Sequence, residues 1–548
     1  MSADRLAAIF SYHQRTKHHF QRYARSLGYL DWANQPHPFR YYAGAAQLAL
    51  DPHRAPPASA YETMYAGGST ARPLDRNSLG DFLRYSLALT AWKQAGESRW
   101  ALRANPSSGN LHPTEAYLAI DSLPGFESPG LYHYVSETHA LERRADFKSS
   151  FWQQVLAGQP AGSFLVGLSS ILWREAWKYG ERAFRYCQHD TGHALAALSL
   201  SAALCGWKLR LATGWSTADM AALMGLDRSG EFLPEEREEP ELLMLITPAN
   251  SADVLLASLD LPARSELANG RWHGRPNQLS AEHTGWPILE VAAEATRIPE
   301  SPCWNDSPHA PLAKPAPQLP PLPATLDAHR VILERRSAVD FGGQSRLSRE
   351  AFFRMLARAL PGNHAPWDVL AWPPAVDLVL FVHRVDDVEP GLYLLSRDPA
   401  CVPTWKASMR AEFAWSTPPG TPEGLPLWLL RAGDFRSIAR DLSCHQEIAS
   451  DGFFSLGMLA DFAGPITVRG AWFYRPLFWE TGMIGQVLYL EAEAHGVRAT
   501  GIGCYFDDPV HELLGLSGNA AQSLYHFTVG MPVEDARLQT WPAYGVVK

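Results

Sequence analysis

Apolar positions recur with helical spacing from Leu79 to Trp92, with Leu79, Phe82, Leu83, Ser86 and Leu87 on one face, which predicts a helix there. The same period predicts helices over 286–296 and 349–360, and a small-residue, Ala/Leu-rich helix over 192–203 of the kind that lets helices approach closely. Another helix is predicted over 481–495, stopped by Gly496 as its C-cap. Short unbroken apolar runs predict buried strands over 116–120, 242–246, 376–382 and 527–529. Helices and strands mix without strict βαβ alternation, which favours an α+β fold over a doubly wound sheet.

Within this pattern the chain repeats itself. Asp190-Thr191-Gly192 is echoed by Glu480-Thr481-Gly482, Gly206 by Gly496, and Met224-Gly225-Leu226 by Leu514-Gly515-Leu516, every pair 290 residues apart. A looser echo joins Gly130-Leu131-Tyr132 to Gly391-Leu392-Tyr393. Glycines held in register with matching helical patterns read as a duplicated domain fused into one polypeptide, a single chain that mimics a homodimer. A site at such an interface can be divided unequally between the halves. The 548 residues exceed what one core holds. The reading is an N-terminal helical extension over 1–59, a first domain over 60–250, a connecting extension over 251–325 and a second domain over 326–548. In the connection, Pro308, Pro311, Pro315, Pro317, Pro320, Pro321 and Pro323 form a stiff, extended spacer.

Composition narrows the class. A hydrophobic share of 46% with 19% charged residues is that of a soluble globular protein. The net charge of -9, with acidic and basic residues mixed, carries no footprint for nucleic acid. No apolar stretch reaches the length of a membrane span, and Met1 to Arg5 begins no signal pattern. Cys187, Cys205, Cys303, Cys401, Cys444 and Cys504 show neither CxxC pairing nor metal-ligand spacing, which points to a reducing cytoplasm and no metal. His13, His18 and His19 lack a carboxylate or cysteine framework, so a partly exposed helix is favoured over a metal site. The 19 tryptophans suit either large packed cores or a flat aromatic ligand.

Three segments carry candidate chemistry. In Arg103-Ala104-Asn105-Pro106-Ser107-Ser108-Gly109-Asn110-Leu111-His112-Pro113, a rigid turn offers hydroxyls, an amide and backbone N–H groups to a polar heterocycle. In Glu334-Arg335-Arg336-Ser337, forked guanidinium groups and a hydroxyl can clamp a phosphate. In Ala499-Thr500-Gly501-Ile502-Gly503-Cys504, glycines let the backbone approach a ligand. Asp190 reads as a helix N-cap. Cys444-His445 lacks an orienting third group and is set aside as a nucleophile.

Together these motifs, with Gly-Leu-Tyr and the Glu-Thr-Gly helix, resemble the FMN-dependent nitroreductase fold over roughly 60–250 and 326–540. The first half more closely resembles the SagB/ThcOx-type azoline dehydrogenases. The resemblance implies two nitroreductase-like domains forming an intrachain pseudo-dimer, with FMN at their interface. One half is then expected to supply the phosphate clamp (Arg335, Arg336, Ser337) and the loop near flavin N5 (Gly501, Ile502, Gly503, Cys504). The other supplies Arg103, Pro106, Ser107, Ser108 and Asn110. Val339 stands where relatives often carry a second basic residue, a loss that Arg537 can offset. The reciprocal site looks damaged: Ala66-Gly67-Gly68-Ser69-Thr70-Ala71-Arg72 lacks the leading arginine, leaving Arg72 to reach in, and Gly362 to Trp367 lacks the serine turn. One FMN per chain is therefore expected. Trp177-Lys178-Tyr179-Gly180-Glu181-Arg182 resembles the Lys-Tyr-Gly-x-Arg segment of azoline dehydrogenases, which implies Lys178 and Tyr179 as catalytic groups that remove a carbon-bound proton. A substrate or flavin contact is the sharper alternative for Asp190.

The implied function is FMN-dependent dehydrogenation of a peptide- or amino-acid-derived azoline by hydride transfer to flavin N5, with O2 or another acceptor reoxidising the flavin. Its partners are a small-molecule or modified-peptide substrate and, by the same resemblance, a cyclodehydratase. The alternatives are an NAD(P)H-dependent nitro- or quinone reductase and a flavin-free peptide-binding scaffold.

Overall fold

Both halves are organised around antiparallel sheets with the same central strand order. In the first half Gly130–Val135, Thr114–Ile120, Phe164–Ile171, Glu238–Pro248 and Trp207–Leu211 lie side by side. In the second half the order is Gly391–Leu395, Val376–Val382, Phe454–Asp461, Ala521–Gly530 and Arg498–Ile502. Phe164–Ile171 and Phe454–Asp461 are themselves 290 residues apart. The computed structural model describes residues 2–66, 69–121, 123–126, 129–249, 256–304, 317 and 322–545. Pro308, Pro311, Pro315, Pro320 and Pro321 of the expected spacer lie outside them, as do Gly67 and Gly68.

Two long buried helices, Ala183–Leu204 and Tyr474–Ala494, pack together at the centre of the molecule. Gly192 sits against the backbone of Trp479, and Gly482 against that of His189; a Cβ on either would run into the facing carbonyl. His189 and Trp479 are also 290 residues apart, so one contact is made twice, as across a two-fold axis. The crossing is tied by His189 Nδ1 to Thr481 Oγ1 at 2.9 Å and by Trp479 Nε1–H to Gln188 Oε1 at 2.8 Å. The other glycines echoed at the 290-residue offset end helices in the left-handed region: Gly206 and Gly496 at φ 67° and 69°, Gly225 and Gly515 at 71° and 80°.

Most predicted elements are present, with bounds moved by a few residues: Thr114–Ile120, Glu238–Pro248, Pro287–Ala295, Arg349–Arg358, Val376–Val382 and Ala521–Gly530. Three expectations are corrected. The helix read over 79–92 spans only Arg76–Arg84, started by the Asp75 side chain on the Ser78 N–H. Leu89–Ala95 is instead a strand between Ser98–Arg103 and Gln539–Pro542. Leu87 and Ala88 pack into the same core as Leu79 and Phe82, so the apolar period runs through the turn and disguises it. The second correction concerns Asp190. Its helix begins at Ala183, which puts Asp190 two turns inside and excludes an N-cap role.

The third correction is the N-terminal extension, which is α-helical only over Ser2–Arg15. Its Gln47–Ala49 joins the first-half sheet beside Ala140–Asp146. His13 and His18 are buried rather than exposed, and His13 lies 3.2 Å from Tyr474 Oη and 3.1 Å from Gln522 Oε1. Lys17 Nζ reaches Asp508 at 2.7 Å. The N-terminal arm thus packs on the second half, while the C-terminal strand Gln539–Pro542 pairs with the first. The connecting segment also belongs to the body: Arg271–Trp272 extends the first-half sheet, and Trp304 packs among Trp372, Trp472 and Trp479. Among the described residues no helix is long and apolar enough to cross a membrane, and no cluster is suited to a metal ion.

Candidate functional site

Where the halves meet, a cavity of about 440 Å3 is walled by Pro106–Asn110 of the first half and by Arg335–Val339 and Thr500–Cys504 of the second. That volume is in the range of cofactor and small-molecule sites.

The first-half wall is a turn leaving the strand Ser98–Arg103. Gly109, Asn110 and His112 all have positive φ, at 58°, 58° and 53°. The turn is held from within: Ser107 Oγ accepts from the His112 N–H at 2.8 Å, and Asn110 Nδ2–H donates to Ala101 O at 2.9 Å. It is held from behind by Asp190, whose carboxylate accepts from the Ser108 N–H at 3.0 Å and the Ser108 hydroxyl at 2.9 Å. A Cβ at position 109 would lie 2.6 Å from the Tyr179 hydroxyl, so glycine is what lets that phenol sit over the turn. Asp190 lines the cavity yet is buried; burial, outweighing the serine hydrogen bonds, pushes its carboxyl up to about 7. Burial, with the charges of Glu175, Tyr186 and Asp190 adding, raises the Tyr179 phenol well above its ordinary value. Glu175 lies one helical turn before Tyr179, fully buried, with neither carboxyl oxygen hydrogen-bonded among the described residues. Burial and Asp190 raise its carboxyl well above the usual range.

The second-half wall is cationic. Arg335 is buried; its Nε–H donates to Ala104 O at 3.3 Å and its Nη2–H to Arg103 O at 3.0 Å. Its Nη1 has no hydrogen-bond partner among the described residues. Arg336 is spent partly on Thr90 Oγ1 at 3.1 Å and Leu333 O at 2.8 Å, and burial pulls it down to about 10, with Arg335 adding. Ser337 Oγ meets Tyr489 Oη at 2.9 Å, and that phenol oxygen accepts from the Gly501 N–H at 2.9 Å, joining clamp and loop. The Gly503 carbonyl is held by Arg182 and Tyr186 of the first half at 3.3 and 3.1 Å. Lys93 and Arg498 stand on the same cavity wall. Arg498 is bonded to Glu534 at 3.1 Å and Lys93 to Thr540 Oγ1 at 2.7 Å. Several cations with one unspent guanidinium nitrogen form a site suited to an anion such as a phosphate.

The structure brings together Arg103, Pro106, Ser107, Ser108, Asn110, Tyr179, Arg335, Arg336, Ser337, Gly501, Ile502, Gly503 and Cys504 on one cavity. Two expected residues are off it. Lys178 stands behind Tyr179, with Nζ 5.2 Å from the ring centroid. Arg537 is exposed and clasped to Asp535 at 2.8 Å, so it does not offset Val339. Lys93 and Arg498 stand there instead. Arg498 carried a signal, since strand alternation places it on the face of Thr500. Lys93 carried none, because its strand reads as helix.

At the reciprocal position the corresponding charged groups among the described residues are engaged with one another. Arg72, expected to reach in, is paired with Asp81. Glu480, the counterpart of Asp190, is paired with Arg397 and accepts from Trp372 Nε1–H at 3.2 Å and the Ala375 N–H at 3.1 Å. Buried Trp367 stacks under Arg397 at 4.7 Å.

No protein-family model matches the chain. A candidate nitroreductase of Methanocaldococcus jannaschii is 28% identical over 108 residues, 18% of this chain and 52% of that protein. The chain thus spans about half the length of the curated relative it matches. The crystal structure of a candidate nitroreductase from Anabaena variabilis superposes on 96% of this chain and 99% of its own, with a TM-score of 0.69 at 22% identity. A chain of the E. coli microcin synthetase complex aligns with 46% of this chain and 95% of its own, with a TM-score of 0.27 at 18% identity. The Anabaena structure shows the fold: α+β, with two fused nitroreductase-like domains forming a pseudo-dimer within one chain.

Proposed function

We propose that this chain is an FMN-dependent oxidoreductase that dehydrogenates an azoline, free or carried on a modified peptide. The observation that carries the reading is the convergence of Arg335–Ser337, Pro106–Asn110 and Gly501–Cys504, from opposite halves, on one cavity. The residues fit the cofactor. Arg335 Nη1 is a buried donor with no partner among the described residues, as a phosphate ligand requires. Arg336, Ser337, Lys93 and Arg498 would hold the anionic end, while Ser107, Asn110 and the Gly501–Cys504 backbone would offer hydrogen bonds to a flat, polar ring. A bound flavin supplies the two-electron acceptor.

The chain's own task is to orient the heterocycle and take a proton from its carbon. Tyr179 remains protonated at neutral pH, because burial raises its phenol, so it serves as a hydrogen-bond donor and not as a tyrosinate base. Asp190 titrates near neutrality and faces the cavity; its carboxylate is our assignment for the proton acceptor, with Ser108 fixing its orientation. Lys178, packed on the Tyr179 ring, positions that phenol.

A second reading is favoured by the names of the similar proteins: reduction of a nitro compound or quinone by NAD(P)H. The deciding experiment is the visible spectrum of the purified protein, with released flavin counted per chain, followed by anaerobic addition of NAD(P)H. About one FMN per chain that NAD(P)H leaves oxidised supports the dehydrogenase. Rapid bleaching supports the reductase. A protein that stays colourless after added FMN overturns both and leaves the peptide-binding scaffold.

A further inference from the structure

Cys444 and Cys504 are 60 residues apart in sequence, yet their Sγ atoms lie 2.8 Å from one another. Both are half-buried free thiols, and Cys504 lines the cavity. Two hydrogen bonds hold their segments together: the Phe506 N–H donates to Leu442 O at 2.8 Å and Gln446 Nε2–H to Cys504 O at 3.0 Å. The turn that presents Cys444 is strained. Cys444 and His445 adopt φ of 53° and 59° in succession, a left-handed conformation that non-glycine residues rarely take. Backbone strain that aims one thiol at another, on the wall of a ligand cavity, is more than packing requires.

We propose that Cys444 and Cys504 form a redox-active dithiol that reacts with low-molecular-weight disulfides. Cys504 is the attacking thiolate: its hydrogen bond with Cys444 and the nearby Arg182 guanidinium hold it below the usual thiol range, although burial opposes them. It attacks one sulfur of the small disulfide, forms a mixed disulfide and expels one small thiolate. Cys444 then gives up its proton and attacks Sγ of Cys504, closing the intrachain disulfide and expelling the second small thiol. Two protein thiols are oxidised and one small disulfide is reduced to two thiols. The reaction needs no flavin, so it stands or falls apart from the proposed function.

The test uses the full chain with the exposed Cys303 replaced by serine, incubated with oxidised glutathione. Released glutathione is counted per chain, and peptide mapping follows alkylation. The expected result is two equivalents released and a linked Cys444–Cys504 peptide, reversed by dithiothreitol. Cys444→Ser should release one equivalent and hold glutathione on Cys504, and Cys504→Ser should leave Cys444 unmodified. Thermal unfolding of each variant confirms that it is folded. A mixed disulfide at Cys504 that persists with Cys444 present, or a linked peptide found only after denaturation, overturns the proposal.

Discussion

Replacing Arg335 by alanine should cost most of the affinity for FMN. The guanidinium is buried, two of its nitrogens are committed to the Arg103 and Ala104 carbonyls, and Nη1 has no partner among the described residues. A charge-assisted hydrogen bond to a buried group is worth about 1.5–3 kcal/mol. A phosphate on Nη1 therefore accounts for about 1.5–3 kcal/mol, or roughly 10- to 150-fold in Kd. The alanine variant also frees the two carbonyls that lead into the Pro106–Asn110 turn, which pushes the loss toward the upper end. Arg335→Lys keeps the charge but not the fork, and roughly a tenfold loss is expected. The assay is quenching of flavin fluorescence on titration into flavin-stripped protein, with thermal unfolding of the stripped variants as a check on folding. Arg72→Ala is the matched control: its guanidinium belongs to Asp81, so its Kd should stay within about twofold. An Arg335→Ala protein that binds FMN within about threefold of the parent refutes the clamp, as does an Arg72→Ala loss of the same size.

Three further outcomes are expected. Asp190 is raised from 3.8 to about 7, so the native state binds its proton more tightly than the unfolded chain. Its stabilising effect is therefore complete below pH about 4, is lost as pH rises through about 7, and changes little beyond. Asp190→Asn should flatten that slope in urea midpoints measured from pH 5 to 8, by up to about 3 kcal/mol, since about two pH units of the shift lie in that window at 1.36 kcal/mol per unit. In the parent, kcat should rise as Asp190 ionises near pH 7, and the asparagine variant should lack that limb; a parent profile without it removes Asp190 as the base. Gly192→Ala and Gly482→Ala should each destabilise by about 1–3 kcal/mol through overpacking. The double variant should lose less than the sum, because the first methyl already forces the helices apart; full additivity in chemical denaturation argues against a shared crossing. Tyr179→Phe should retain FMN and lower kcat about 10- to 100-fold with little change in KM, and an unchanged kcat confines Tyr179 to packing.

Those features that depend on backbone geometry were legible in the sequence. Gly192 and Gly482 must lack a Cβ for the helices to meet, and Gly206, Gly496, Gly225 and Gly515 must turn left-handed, so all six survive duplication at one offset. The segments Arg335–Ser337, Pro106–Asn110 and Gly501–Cys504 were legible as motifs because each is short and local, and the structure places all three on one cavity. What depends on distant partners was not. The apolar period runs on from Leu83 through Leu87 although a turn intervenes, because helix, turn and strand all face one core. The strand Leu89–Ala95, which carries Lys93 to the cavity, hydrogen-bonds to Ser98–Arg103 on one side and, on the other, to Gln539–Pro542, more than 400 residues away. The burial of His13 and His18 has the same origin, since Tyr474, Gln522 and Asp507 of the second half contact them.

The asymmetry between the halves follows from one duplicated acid. Asp190 and Glu480 occupy equivalent positions on paired helices, each accepting a backbone N–H from its own half, Ser108 in one and Ala375 in the other. Glu480 is longer by one methylene and meets Arg397, which neutralises it beneath Trp367. Asp190 has no guanidinium among its hydrogen-bond partners; those are the Ser107 side chain and the Ser108 amide and hydroxyl. A buried carboxylate without a cation is costly and keeps a titratable proton near neutrality, whereas one paired with arginine becomes a fixed piece of the core. In a true homodimer both copies would share either fate, because one sequence serves both sites. Fusion removes that constraint: one half can pack its acid away for stability while the other leaves its acid reactive. Arg397→Ala and Arg397→Leu should therefore leave the buried Glu480 without its cation and destabilise the second half in chemical denaturation, and the cavity, which draws nothing from Arg397, should bind FMN as before.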